Sequence, residues 1–226
     1  MENETKIRKD FEKFYKSRVP ASSYGLDLIK NSYINPTIIE ERQLNVAQMD
    51  VFSRLMMDRI IFFGTEVNSD SANVIVSQLI YLNSVNDEEP INIYINSPGG
   101  EIYSGNSILD TMGFIKAPVH TLCTGLAASF GAMILSCGKR GCRAALPHSR
   151  IMIHQPSGGA SGQATEIEIT YKEISKLKKE LAEILAQRCN QPYKTILSKM
   201  DRDYWMTAEE AKELGIIDTV IETIWD

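Results

Sequence analysis

The chain has 226 residues, 43% of them hydrophobic, with a formal net charge of −5. That length can bury a full core and suits one large domain rather than two. Lysines and arginines are scattered rather than gathered in a stripe, which disfavours nucleic-acid binding, and no apolar run reaches the roughly 18 to 20 residues of a membrane span.

The opening MENETKIRKDFEKFYKSR lacks the apolar segment of a signal peptide, and Glu2, Glu4, Asp10 and Glu12 are unlike an acid-poor transit peptide, so a cytoplasmic location is expected. Residues 1–32 are charged and weakly periodic and end near Pro20 and the SSYG stretch. They read as an N-terminal extension, a tail or pro-segment, set apart from a domain over 33–226. RIIFFG (59–64) then suits a buried strand closed by a glycine. Asn68, Ser69 and Asp70 offer N-caps for a helix carrying Val74, Ile75, Leu79, Ile80 and Leu82, which ends between Asn86 and Pro90.

INIYIN (91–96) reads as a buried strand leading into Ser97-Pro98-Gly99-Gly100, a turn whose glycines allow dihedrals and close approaches denied to other residues. A helix follows near 103–116, then a strand at VHTLC (119–123). Gly125 leads into AASFGAMILSC, a compact helix of small and apolar residues stopped at Gly138. CRAALP and RIMIHQ read as two further strands. From Thr165 to Cys189 the positions Ile167, Tyr171, Ile174, Leu177, Leu181 and Ile184 recur at steps of three and four, predicting one long amphipathic helix that stops at Asn190 before Pro192. Such a helix packs on its own domain or serves as an arm to another subunit. Thr207 with Glu210 forms a capping box for a short helix closed by Gly215, and IIDTVIETI returns as a strand. Alternating strands and helices give an α/β class.

The four cysteines, Cys123, Cys137, Cys142 and Cys189, form no paired C-x-x-C knuckles, and His120, His148 and His154 lack zinc-site spacing, so no metal is implied. Ser129 is the residue of chemical interest. It follows a strand, a glycine and two alanines and so falls near the first turn of a helix, where free backbone N–H groups favour an oxyanion. The Phe130 N–H is one natural donor, and the SPGG turn can supply a second. A serine there can also be no more than a helix cap. Its base would be a histidine. His120 begins a strand and His148 lies in a polar turn, whereas His154 ends the apolar run Ile151-Met152-Ile153, where a cleft can open. Asp201-Arg202-Asp203 holds two candidates for the carboxylate that orients the imidazole, and spacing does not choose between them.

INSPGG, GLAASFGAMILS around Ser129 and LPHSRIMIHQP around His154 closely resemble the proteolytic subunits of the caseinolytic (Clp) proteases, the ClpP family, over about residue 36 to the C-terminus. The order Ser, His, Asp differs from chymotrypsin-like, subtilisin-like and α/β-hydrolase enzymes, and Ala127-Ala128-Ser129-Phe130-Gly131 is not a G-x-S-x-G elbow. The resemblance implies a crotonase-like fold of repeated β-β-α turns with a protruding handle, matched by the helix from Thr165. It implies Ser129 as nucleophile, His154 as base, Asp203 as orienting acid, and the Gly100 and Phe130 N–H groups as oxyanion hole, with no cofactor in the chemistry. It further implies a homo-oligomer of two stacked heptameric rings, with Asp201 and Arg202 coupling ring contact to the triad. An AAA+ unfoldase of the ClpX, ClpA or ClpC type would deliver unfolded protein, docking near Tyr94. Three departures stand out. Phe130 replaces a common methionine, Asn92 replaces an aromatic beside Tyr94, and ERQLNVAQMD lacks the usual glycine of the N-terminal hairpin. An inactive ring subunit and an acyl-CoA enzyme of the crotonase fold are the rival readings.

Overall fold

A computed structural model of the chain describes residues 37–42 and 45–222, with side chains from residue 49 onward. The expected extension at 1–32 lies outside the described residues. The chain divides into two compact units, one ending at Val51 and one starting at Phe52. In the first, β1 (Thr37–Arg42) and β2 (Asn45–Asp50) pair antiparallel with Thr37 opposite Asp50 and Arg42 opposite Asn45. A hairpin therefore forms without the glycine noted as missing from ERQLNVAQMD.

The second unit is a seven-stranded mixed sheet with helices around it. Its elements are α1 (Val51–Met57), β3 (Ile60–Phe63), α2 (Ser69–Val85), β4 (Ile91–Ser97), α3 (Ile102–Phe114), β5 (Val119–Ala128) and α4 (Phe130–Ser136), followed by β6 (Arg143–Ala145) and β7 (Arg150–Ile153). Then come α5 (Ala164–Cys189), α6 (Tyr193–Lys199), β8 (Tyr204–Thr207), α7 (Ala208–Leu214) and β9 (Thr219–Val220). The order β3-β4-β5-β6-β9 is parallel throughout, which requires crossover connections between successive strands. Strand β5 forks. Its first part, Thr121 to Cys123, pairs with β6, and its end, Leu126 to Ala128, pairs with β7, which turns back antiparallel to β8.

Several elements follow directly from local sequence. Asn68 caps α2 reciprocally with Ser71, and the helix buries Ala72, Ile75, Leu79 and Leu82 at helical spacing. Val74 and Ile80, expected on the same helix, face outward. Thr207 and Glu210 close the expected capping box of α7. β3 and β4, expected as buried strands, alternate instead. Ile61, Phe63, Ile91, Ile93 and Ile95 point into the core, while Phe62 and Tyr94 lie on the other face. The compact helix expected from Ala127 begins later, because β5 runs on to Ala128. Of the expected C-terminal strand IIDTVIETI, the end lies outside the described residues and Thr219–Val220 form β9, while α1, α6 and β8 have no counterpart in the sequence reading. The long helix α5 has 26 residues, about 39 Å at the α-helical rise. Its second half is anchored by Leu177, Leu181, Ala182, Leu185 and Cys189, whereas Ile167, Ile169 and Tyr171 in the first half are exposed.

Candidate active site

Ser129 stands between the end of β5 and the first residue of α4, with φ 52° and ψ −120°. L-residues rarely adopt that conformation, and such strain persists where the surroundings over-determine it. Here the Ser129 N–H donates to the Met152 carbonyl at 2.8 Å, and the Ser129 carbonyl accepts from Ala132 and Met133. The hydroxyl makes no cap bond to its own helix. It meets Nε2 of His154 at 2.8 Å instead.

Two strand registers bring the remaining groups to it. The parallel pairing of Ala128 with Met152 sets the residue after β5 beside the end of β7, where His154 follows Ile153. The antiparallel pairing of Ile153 with Tyr204 then places their neighbours, His154 and Asp203, opposite one another. Nδ1 of His154 lies 2.9 Å from Oδ1 of Asp203. The tautomer that satisfies both contacts carries its proton on Nδ1 and leaves Nε2 to accept from the serine hydroxyl. Register thus brings Asp203, and not Asp201, to the imidazole. The His154 ring is 26% exposed and the Asp203 carboxylate 62%.

The turn after β4 closes the other side. Gly99, at φ 87°, lies so close that an added Cβ would sit 2.6 Å from the Ala128 carbonyl and 2.7 Å from the Ser129 Cβ, which only glycine permits. The turn is braced by the buried hydroxyl of Ser97, which accepts from the Gly99 N–H at 3.1 Å. It is also stitched to Val67, through Val67 N–H to the Gly99 carbonyl and Glu101 N–H to the Val67 carbonyl. That ladder does not use the Gly100 N–H, and the Phe130 N–H, first in α4, has no intrahelical acceptor. Gly100 and Phe130 both line a cavity of about 70 Å³ shared with Ser129 and His154, whose apolar wall is Ile102, Met133, Leu181, Leu185 and Met200.

The other candidates lie elsewhere. His120 is the second residue of β5, and partial burial followed by the nearby charge of Lys139 lowers its pKa. His148 falls between β6 and β7. Asp201 and Arg202 are exposed, and among the described residues their side chains form no ion pair with each other. Tyr94 and Asn92 are half-buried on β4. All four cysteines are free, and burial pushes the Cys189 thiol up to about 12. Sequence reading missed Ser97 and the apolar wall. The wall comes from four separated segments, so no local pattern marks it.

The family model described as Clp protease matches residues 42–224. The chain is 56% identical to the ATP-dependent Clp protease proteolytic subunit of Bacteroides thetaiotaomicron over 94% of this chain and 98% of that protein. With the subunit of the same name from Porphyromonas gingivalis it shares 53% identity over 94% and 97%. With the Bacillus cereus ATP-dependent Clp protease proteolytic subunit 1 it shares 52% over 83% and 97%.

Proposed function

The chain belongs to the Clp protease family, and on that premise we propose that Ser129, His154 and Asp203 are the catalytic triad of its peptidase site. The protein is a serine peptidase, the proteolytic subunit of an ATP-dependent protease. The observation that carries the site assignment is the unbroken hydrogen-bond chain from the Ser129 hydroxyl through His154 to Asp203 at an apolar cavity.

In this reading Ser129 Oγ attacks the peptide carbonyl while its proton passes to Nε2 of His154. Asp203 holds the imidazole by its Nδ1–H and offsets the charge of the imidazolium. The N–H groups of Gly100 and Phe130 receive the oxyanion. Collapse expels the amine with the proton from His154 and leaves an ester on Ser129. Water, deprotonated by His154, then hydrolyses that ester and restores the serine. No cofactor takes part, and ATP is consumed by the partner.

A fluorophosphonate probe with mapping of the labelled residue tests the assignment. Labelling falls on Ser129. Ser129→Ala and His154→Ala each cut peptide hydrolysis by at least roughly 10³-fold with the fold intact, while His148→Ala keeps most activity. Robust labelling of Ser129→Ala, or an essential His148, would sink it.

The same reading extends to assembly. The apolar Ile167, Ile169 and Tyr171 stand exposed on the projecting half of α5, which supports a homo-oligomer of two stacked heptameric rings joined through that helix. Arg202, exposed beside Asp203, suits a role with Asp201 in coupling ring contact to the triad. Phe62, 40% exposed and in register with Tyr94, supports docking of an AAA+ unfoldase of the ClpX, ClpA or ClpC type that delivers unfolded chain. No helix among the described residues is long and apolar enough to cross a membrane. Four free cysteines fit a reducing compartment, and the cytoplasm is the location proposed. Removal of residues 1–32 as a pro-segment belongs to the same proposal.

A further inference from the structure

Strand β4 turns Ile91, Ile93, Ile95 and then Ser97 inward, and Ser97 is fully buried. A hydroxyl sunk at such a position costs free energy unless it is bonded. This one accepts the Gly99 N–H at 3.1 Å. Among the described residues it is the only side chain that hydrogen-bonds to residues 98–100.

What that bond holds is the turn that carries one of the oxyanion donors. The Gly99–Gly100 peptide presents its carbonyl to the Val67 N–H at 2.8 Å. In a trans peptide the C=O and N–H point opposite ways, so the Gly100 N–H is turned away from Val67, and Gly100 lines the cavity with Ser129, Phe130 and His154. Glycine stands at both ends of this peptide, at φ 87° and 152°, and no Cβ resists a rotation of its plane. Hydrogen bonds set its direction instead. The Val67 bond holds its carbonyl, and the Ser97 bond holds the preceding Pro98–Gly99 peptide, so the dihedrals of Gly99 lie between two fixed planes. The same turn touches the other donor. A Cβ added to Gly99 would sit 2.8 Å from the Phe130 nitrogen, and one added to Gly131 would sit 2.9 Å from the Ser97 carbonyl oxygen. Ser97 thus stands at the joint between the two halves of the oxyanion hole.

Resting on the serine-peptidase reading above, we infer that Ser97 is a positioning residue for the oxyanion hole, whose buried hydroxyl fixes Gly99 so that the Gly100 N–H meets the developing charge together with that of Phe130. It touches neither the substrate nor the triad. Without the hydroxyl the Gly99–Gly100 plane samples several directions, and its donor is aligned for only part of the time. Substrate binding suffers little, because a neutral carbonyl asks less of the donor than the oxyanion does.

The test uses the full-length assembled protein, a short fluorogenic peptide, and a peptide boronate, whose tetrahedral adduct with Ser129 places an oxygen where the oxyanion forms. Complete reaction with a fluorophosphonate counts the competent sites, so that kcat is read per site. Ser97→Ala lowers kcat per site about tenfold or more, short of the roughly 10²- to 10³-fold lost when a donor is removed outright, with KM changed less than about twofold. The boronate binds more weakly by about the factor that kcat/KM loses. The acid limb of the kcat/KM profile, which reports the base His154, stays at its wild-type position because the triad is untouched. Ser97→Thr, which keeps the hydroxyl, retains most of kcat. Ser149→Ala, which deletes another buried hydroxyl, one bonded to the Cys123 carbonyl, keeps wild-type kcat. Wild-type kcat per site in Ser97→Ala, an unchanged boronate affinity, a loss confined to KM, a shifted acid limb, or a loss explained by fewer competent sites overturns the inference. Should Ser97→Ala fail to fold, Ser97→Cys, similar in shape with only a weak acceptor, decides by the same criteria. A labelled, active wild type with an unaffected Ser97→Ala defeats this inference alone, whereas an unlabelled, inactive wild type defeats the peptidase reading itself.

Discussion

Arg143 ties the end of α4, the helix that Ser129 precedes, to the end of α5 and to Asp218. Its guanidinium is 5% exposed at the side chain and forms a bidentate pair with Asp218, Nε to Oδ2 at 2.9 Å and Nη2 to Oδ1 at 2.6 Å. Nη1 reaches the carbonyls of Ser136, at the end of α4, and of Arg188, in the last turn of α5. Asp218 also accepts from the N–H groups of Gly141 and Arg143. Partial burial pushes the Asp218 carboxyl up, but these hydrogen bonds and the Arg143 charge outweigh it and hold the group below its ordinary value. The stability this supplies is present above the ordinary carboxylate pKa and is lost as pH falls through the lowered one. Asp218→Asn leaves a buried guanidinium without its counter-charge, for an expected loss of about 3–5 kcal/mol near neutral pH. Urea unfolding at pH 7 and in the acid range checks this. The gap between wild type and variant narrows as the pH is lowered, and a gap independent of pH would contradict the assignment.

Between helices the decisive contact is a glycine against a ring. Gly105 of α3 lies under the Phe130 ring, and an added Cβ would meet the ring atoms Cδ1, Cε1 and Cγ. Phe130 is 2% exposed and cannot swing outward. Alanine at this position gains up to about 1 kcal/mol of helix propensity but overpacks a close contact at a cost of roughly 1–3 kcal/mol. Gly105→Ala is therefore expected to lower stability and, by shifting the Phe130 backbone, to reduce kcat several-fold. Gly113 lies on the same helix with nothing within 4 Å of an added Cβ. Gly113→Ala then shows the propensity gain alone, roughly 0.5–1 kcal/mol of added stability with activity unchanged. Thermal melts and peptide hydrolysis of the pair check both, and equal behaviour of the two variants would show that the ring yields.

At the scale of the whole molecule, the chain exposes what a single subunit cannot use. The projecting half of α5 carries Ile169 at 64% and Tyr171 at 68% exposure, apolar area that association would remove from water. Arg202 stands next to Asp203, with no ion pair among the described residues. Under the ring proposal its partner lies on another subunit, so Arg202→Ala shifts particles toward single rings and lowers peptidase activity in parallel. Sedimentation with a fluorogenic-peptide assay reads both. Under the same proposal, the assembled protein alone is expected to cleave short peptides and spare stable folded proteins. A fully active monomer, or rapid loss of a folded protein without a partner, would defeat the compartment.

Much of this was legible in the chain itself, and the part that was not has one physical cause. Helix α2 could be read from its cap and its period, α5 from its long stripe, α7 from its capping box, and the placement of Ser129 at a helix start from strand, glycine and small residues, because each is a signal within a few residues. The meeting of Asp203 rather than Asp201 with His154, the continuation of β5 through Ala128, and β8 itself depend on pairings between residues 24 to 57 positions apart. The same holds for β9: within the described part of IIDTVIETI, Thr219 and Val220 take their place as a strand through pairing with β6. Local chemistry determined which segments form and which groups can react, whereas register, a property of two segments at once, decided which of those groups meet.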